Sequence, residues 1–167
     1  PYLVAESERR VSLVETFPAD RIIRDLAARD KKSAIKELLQ FLVEQGSLTE
    51  DAAKKAEKAV QKRESVGSTG IGKGLAIPHA KDCSFVDGVV GVFARSVHGL
   101  GFEAVDGGLV HVIFLVLSPV DGAESHLNLM KRIALLHREE KTLQYIAKDE
   151  KLENLHAIFK EVDEEFV

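Results

Sequence analysis

A histidine at the end of a glycine-rich stretch is where this sequence first offers chemistry. Gly67-Ser68-Thr69-Gly70-Ile71-Gly72-Lys73-Gly74 leads through Leu75-Ala76-Ile77-Pro78 into His79. A neutral imidazole near pH 7 is a competent nucleophile toward phosphorus, and the adduct it forms is easily passed on. Clustered glycines permit positive φ, which lets successive N–H groups converge into a nest for an anion, although the same run also suits a plain surface connector. A nucleotide-binding loop is the competing reading, because Gly67, Gly72 and Lys73 satisfy most of the G-x-x-x-x-G-K pattern. It fails at Gly74, where Ser or Thr must hold magnesium, and at Lys62-Arg63-Glu64-Ser65, which is not an apolar strand feeding a phosphate loop. Taken alone, His79 is more often an ordinary hydrogen-bonded or surface histidine, so its surroundings must decide.

Periodicity and turn residues outline those surroundings. Phe17-Pro18-Ala19-Asp20 reads as a turn, with Asp20 capping a short helix through Leu26. From Lys31, Ala34, Ile35, Leu38, Leu39, Leu42 and Val43 recur at helical spacing until Gly46 stops them. Ser47 with Glu50 fits a capping box, and Thr49 also suits a helix start, so a second, more charged helix should run to about Arg63. Pro78 cannot donate to a central ladder, and a short strand should end there. Val89 to Ala94 and Val110 to Leu117 read as strands, the second apolar enough to lie inside a sheet. Leu127, Met130, Ile133 and Ala134 mark a helical face, and shorter helices follow over about 140–148 and 151–161. Helices before and after a central sheet imply an α/β sandwich.

Composition narrows the functional classes. A chain of 167 residues with 45% hydrophobic content supports one domain with a real core. A net charge of -4 with acids and bases interspersed gives no footprint for nucleic acid. The longest apolar run, Val112 to Leu117, is far short of the roughly 20 residues that span a bilayer, so direct membrane insertion is not expected. The lone Cys83 cannot form an internal disulfide and reads as a small packed side chain, and the chain reads as cytoplasmic. Residues 1–11 lack a clear period and read as an extension or linker ahead of a domain over 12–167. His79 and His126 lack Cys or carboxylate companions at ligand spacing, so no metal or other cofactor is expected.

The chain resembles the IIA components of the bacterial phosphotransferase system, in the fructose, mannitol and nitrogen-regulatory branch, most nearly the nitrogen-regulatory type. The resemblance covers roughly residues 12–163. It rests on Arg63-Glu64 with Gly67-Ser68-Thr69-Gly70-Ile71-Gly72, on Ala76-Ile77-Pro78-His79, on Gly101-Phe102 and Asp106-Gly107, and on His126-Leu127. It implies a single α/β domain, a mixed central β-sheet with helices on both faces. It further implies that His79 accepts a phosphoryl group at Nε2 from an HPr-type phosphocarrier or its nitrogen-branch paralogue. A IIB component or a regulated target protein would then be the acceptor. His126 matches the family's second active-site histidine and Arg63 the arginine of its phosphate site. Because phosphoryl transfer asks a protein mainly for alignment and stabilisation of spread negative charge, Arg63 would offer its planar fork to the phosphoryl oxygens. Amides near Ser68, Thr69, Gly70 and Gly72 would supplement it, and His126 would donate to the same oxygens. A hydrogen bond from Nδ1 of His79 to a backbone carbonyl would fix the tautomer that leaves Nε2 free. Each feature also has a plainer reading: Arg63 complementing a helix dipole, His126 facing solvent, the loop merely connecting. The alternative for the whole chain is a regulatory binding module of this fold that does not transfer phosphate.

Overall fold

The strand β6, Val110–Pro119, organises the molecule, and nine of its ten residues are buried. Such a run must be covered on both faces. Its even-numbered residues Val112, Phe114 and Val116 enter one core and its odd-numbered Ile113, Leu115 and Leu117 the other, as strand alternation requires. The computed structural model of this chain describes residues 11–148 and 151–166.

The sheet is mixed, with order β1-β5-β6-β3-β2. β5, Val90–Leu100, runs antiparallel to β6 in register from Val90↔Leu117 to Arg95↔Val112. The short strand β1, Ile22–Ile23, lies parallel on its outer side. On the other side of β6, β3, Leu75–Ala76, and β4, His79–Cys83, follow one another in parallel, interrupted at Ile77-Pro78. β2, Gly70–Gly72, folds back antiparallel on β3. One face is covered by α2, Lys31–Glu44, and α3, Glu50–Ser65. The other is covered by the single turn α1, Leu13–Thr16, and by α4, Ala123–His137, α5, Glu140–Lys148, and α6, Leu152–Glu164. The expected single α/β domain with helices on both faces is therefore the observed architecture. In the second core Phe114 meets Phe17 and Phe93 edge to face, each at 5.1 Å between centroids.

Local signals succeed or fail for identifiable reasons. Gly46, with φ of +78°, closes α2 where a side chain would be strained. Thr49, not Ser47, caps α3 by accepting from Ala52 N at 3.0 Å. No helix runs from Asp20 to Leu26. A 3-10 turn over Ala19–Arg21 gives way to β1, whose backbone finds better partners on β5, and Leu26 N then donates to Arg95 O at 2.8 Å. The buried face of α4 is also rotated from the expected one. His126, Leu129, Ile133 and Leu136 point inward, whereas Leu127 is 56% exposed. Val11, at the end of the stretch read as an extension, is buried in the second core, and residues 1–10 lie outside the described residues.

Candidate functional site

His79 opens β4, because the short strand that stops before Pro78 resumes directly after it. Ala80 and Cys83 turn into the α2/α3 core, so alternation sends His79 to the opposite face, the one that carries α4. Pro78 offers its carbonyl to Val116 N at 3.1 Å, and Thr69 O accepts from Ile77 N at 3.1 Å just before it. β2 ends there, leaving an open sheet edge beside His79. α4 brings His126 to the same place. It begins at Gly122, where any Cβ would lie 2.7 Å from the Pro119 ring, so glycine alone lets the chain turn sharply from β6 into α4. The two imidazole rings stand 5.3 Å apart between centroids, inclined at 47°.

The hydrogen bonds set the chemistry of the pair. Nδ1 of His79 lies 2.7 Å from Ile77 O. A carbonyl only accepts, so the bond puts the proton on Nδ1 and leaves the lone pair on Nε2. Nδ1 of His126 is 2.7 Å from the Ser118 hydroxyl, and the residue is 6% exposed. Burial lowers the pKa of His79 from 6.5. The nearby positive charges of Arg63 and Lys81 push the same way, against the Ile77 hydrogen bond, which opposes the shift. His126 is lowered to about 4, first by burial and then by the charges of His79 and Lys81. Both rings are therefore predominantly neutral near pH 7.

This has a measurable consequence for stability. Because His126 binds a proton more readily unfolded, at 6.5, than folded, at about 4, the unfolded state gains protons as pH falls between those values. Its contribution is fully retained above the unfolded pKa and is lost progressively below it. Urea unfolding from pH 7 to pH 4 should show an acid destabilisation about 3 kcal/mol larger in wild type than in His126→Gln, with the lowered pKa of His79 contributing in both. An equal pH slope in the variant would contradict the assignment to His126.

Arg63 and Glu64 end α3 and divide two tasks. Arg63 Nη1 donates to Gly67 O at 2.8 Å, and its charge reaches His79. Glu64 turns inward, its side chain 4% exposed, and accepts from Lys31 Nζ at 3.1 Å, Thr69 N at 3.2 Å and the Thr69 hydroxyl. The Ser68 hydroxyl donates to Phe102 O at 2.7 Å and accepts from Gly70 N at 3.0 Å. Gly70 is pressed on Ala104, where a Cβ would come within 2.9 Å of the alanine methyl. Gly72, at φ of +94°, begins the Gly72-Lys73-Gly74 turn between β2 and β3, with Lys73 N donating to Asp106 at 3.1 Å. The structure thus brings His79 and His126 together and places Arg63 within electrostatic reach. It sets Ser68, Thr69, Gly70 and Gly72 in a braced loop whose Thr69 and Gly70 amides already have partners inside the protein. The glycine-rich segment leads into a strand, as the rejection of a P-loop requires.

Lys31 and Ser118 are not singled out by the sequence, and Glu64, part of the Arg63-Glu64 motif, is given no role there. Glu64 carried a signal, since it continues the Ala52, Ala56, Val60 stripe of α3 at four-residue spacing, placing a carboxylate on a buried face. Ser118, at the end of the apolar run of β6, carried none. Glu64→Ala should destabilise the fold by about 3–5 kcal/mol in urea, because it strands the Lys31 ammonium and the Thr69 donors. A loss below about 1 kcal/mol would mean that the Glu64 network does not brace the loop.

Comparison with known proteins bears on what this site is. The family model described as "Phosphoenolpyruvate-dependent sugar phosphotransferase system, EIIA 2" matches residues 15–162. The fructose-specific EIIABC component of the phosphotransferase system of Bacillus subtilis is 34% identical over 131 residues, which are 78% of this chain and 20% of that protein. The chain thus spans about a fifth of that relative's length. A nitrogen regulatory protein of Bradyrhizobium diazoefficiens is 32% identical over 128 residues, 77% of this chain and 81% of the relative. Among solved structures, the nitrogen regulatory protein IIA-Ntr of Neisseria meningitidis superposes with a TM-score of 0.77 at 29% identity. The match covers 87% of this chain and 97% of that one. The fold, the match along nearly the whole described chain and the relatives on both the sugar and the nitrogen-regulatory side agree: this chain belongs to the EIIA 2 family of the phosphoenolpyruvate-dependent phosphotransferase system.

Proposed function

We propose that the chain is a phosphoryl carrier whose acceptor atom is Nε2 of His79. The observation that carries this reading is the 2.7 Å contact of His79 Nδ1 with the Ile77 carbonyl, which leaves the Nε2 lone pair free at the open edge of the sheet. In the transfer, the bond from phosphorus to a nitrogen of the donor histidine breaks and leaves its electron pair on the donor ring. The new bond forms with the Nε2 lone pair. Nδ1 keeps its proton, and the Ile77 carbonyl stabilises the positive charge that the ring gains. With the Ser118 hydroxyl donating to Nδ1 of His126, its Nε2 carries a proton that it donates to a phosphoryl oxygen. Arg63 supplies the second, charged donor. Ser68, Thr69, Gly70 and Gly72 shape and hold the loop against which Arg63, at the end of α3, is anchored through Gly67 O.

The donor is an HPr-type phosphocarrier or its nitrogen-branch paralogue, and the recipient is a IIB component or a regulated target protein, in the cytoplasm. A protein partner suits a flat site better than a cleft. The cavity of about 890 Å³ elsewhere in the chain includes neither histidine. Val66, Val120 and Leu127, chain neighbours of Arg63, Ser118 and His126, are 80%, 62% and 56% exposed, an apolar fringe for docking. A related fold supports the same partnership, since the mannitol enzyme IIA of Escherichia coli is solved in complex with its phosphorylated enzyme IIB. Among the described residues no helix is long and apolar enough to cross a membrane. The nitrogen-regulatory relatives favour a role in which the phosphorylation state controls a target through added negative charge. Incubation with phosphoenolpyruvate, enzyme I and HPr, or with the nitrogen-branch equivalents, should give one acid-labile phosphoryl adduct by intact mass. No adduct with either donor system would leave a binding module without transfer.

A further inference from the structure

Arg95 is a buried cation that phosphoryl transfer does not use. It follows Phe93 at two-residue spacing on β5 and so turns into the layer of α5, where it is 7% exposed. Its Nε and Nη1 donate to the carbonyls of Arg24 and Ile146 at 3.3 and 3.4 Å, longer than ordinary N–H···O bonds. A guanidinium has five N–H donors, and no carboxylate among the described residues pairs with this one. Removing such a charge from water is costly without an anion to meet it.

Arg95 lines the cavity of about 890 Å³, within the usual range for small-molecule sites. Arg24, Lys73 and Lys148 add positive charge to its wall, against the single carboxylate of Asp25. That carboxylate already accepts from Val97 N at 3.0 Å. In a chain of net charge -4 this concentration of cations is a local feature. Val112 and Leu143 supply an apolar wall. Along β6 the cavity residue Val112 and the His79 partner Val116 are four residues apart, about 13 Å at ~3.3 Å per residue, so this site is distinct from the histidine pair.

We propose that this cavity binds a small organic phosphate. Arg95 presents its fork to the phosphoryl oxygens, Arg24 and Lys148 close over the anion, and the organic part rests on Val112 and Leu143. Several cations converging on one cavity favour a dianion over a single carboxylate. The site is independent of transfer at His79, and either can fail without the other.

The test is a titration of the 15N-labelled chain with AMP, glycerol phosphate and pyrophosphate, with adenosine as the uncharged control. Saturable shifts are expected at the amides of Gly74, Arg95 and Val112 with at least one phosphate and not with adenosine. The double variant Arg24→Ala, Lys148→Ala changes two exposed positions and keeps the buried Arg95. It should raise the dissociation constant by tenfold or more, as expected for lost charge-assisted contacts. The proposal is overturned if no phosphate saturates at millimolar concentration, if the shifts lie only around His79 and His126, if adenosine binds equally, or if the double variant binds like wild type.

Discussion

Glutamine in place of His79 is expected to abolish phosphoryl acceptance altogether while leaving the fold intact. The amide of Gln can donate to the Ile77 carbonyl as Nδ1 does, and the position is only half-buried at the sheet edge, so the cost in stability should stay within about 1 kcal/mol. What Gln cannot supply is a nucleophilic ring nitrogen whose adduct is later surrendered. Quenched reactions with a phosphorylated donor should therefore show no stable adduct on His79→Gln under conditions that label wild type fully. A labelled variant would move the acceptor to another residue. Acceptance by wild type should also weaken below the lowered pKa of His79, because protonation consumes the Nε2 lone pair.

The second large effect is expected at His126. On the proposed mechanism alanine there removes the neutral donor to the phosphoryl group, and it leaves the Ser118 hydroxyl without its partner. Loss of one preorganised donor of this kind slows transfer by about 10²–10³-fold. His126→Ala should still be labelled, but slowly, because the nucleophile on His79 remains. His126→Gln, which keeps an N–H near the same place, should stay within about tenfold of wild type, since one neutral hydrogen bond is worth roughly 1 kcal/mol. Single-turnover transfer separates the two variants, and a wild-type rate for alanine would reduce His126 to a packing residue.

Much of the fold is legible in the sequence, and the exceptions share a cause. The strand read over Val110 to Leu117 is legible because burial on both faces demands an apolar run such as Val112 to Leu117, and α2 because Ala34, Ile35, Leu38, Leu39 and Leu42 share one buried face. β1 was hidden because its two residues are strand only by virtue of pairing with Phe93 and Ala94, far along the chain. The buried face of α4 differs from the one its apolar spacing marks, because His126, less apolar than Leu127, turns inward toward Ser118. The pairing of His79 with His126 is an expectation that only the family resemblance supplies. The expected bond from His79 Nδ1 to a backbone carbonyl is present, but its identity as Ile77, the Ser118 hydroxyl and the partners of Glu64 that brace the loop carry no local signal. Those partners are set by where β4, β6 and α4 meet and, for Glu64, by where α2, α3 and the loop at Thr69 meet, and tertiary placement overrides local propensity at such junctions.

The central claim is that Nε2 of His79 takes the phosphoryl group while Nδ1 keeps its proton on the Ile77 carbonyl. Long-range 1H–15N correlation of the histidine side chains, recorded before and after phosphorylation, reads both nitrogens directly. The account predicts that only the His79 ring is phosphorylated, at Nε2 with Nδ1 protonated, and that His126 stays neutral and unmodified while its Nε2–H signal shifts on the new hydrogen bond. A phosphoryl group on Nδ1 of His79, or on any other histidine of the chain, would contradict it.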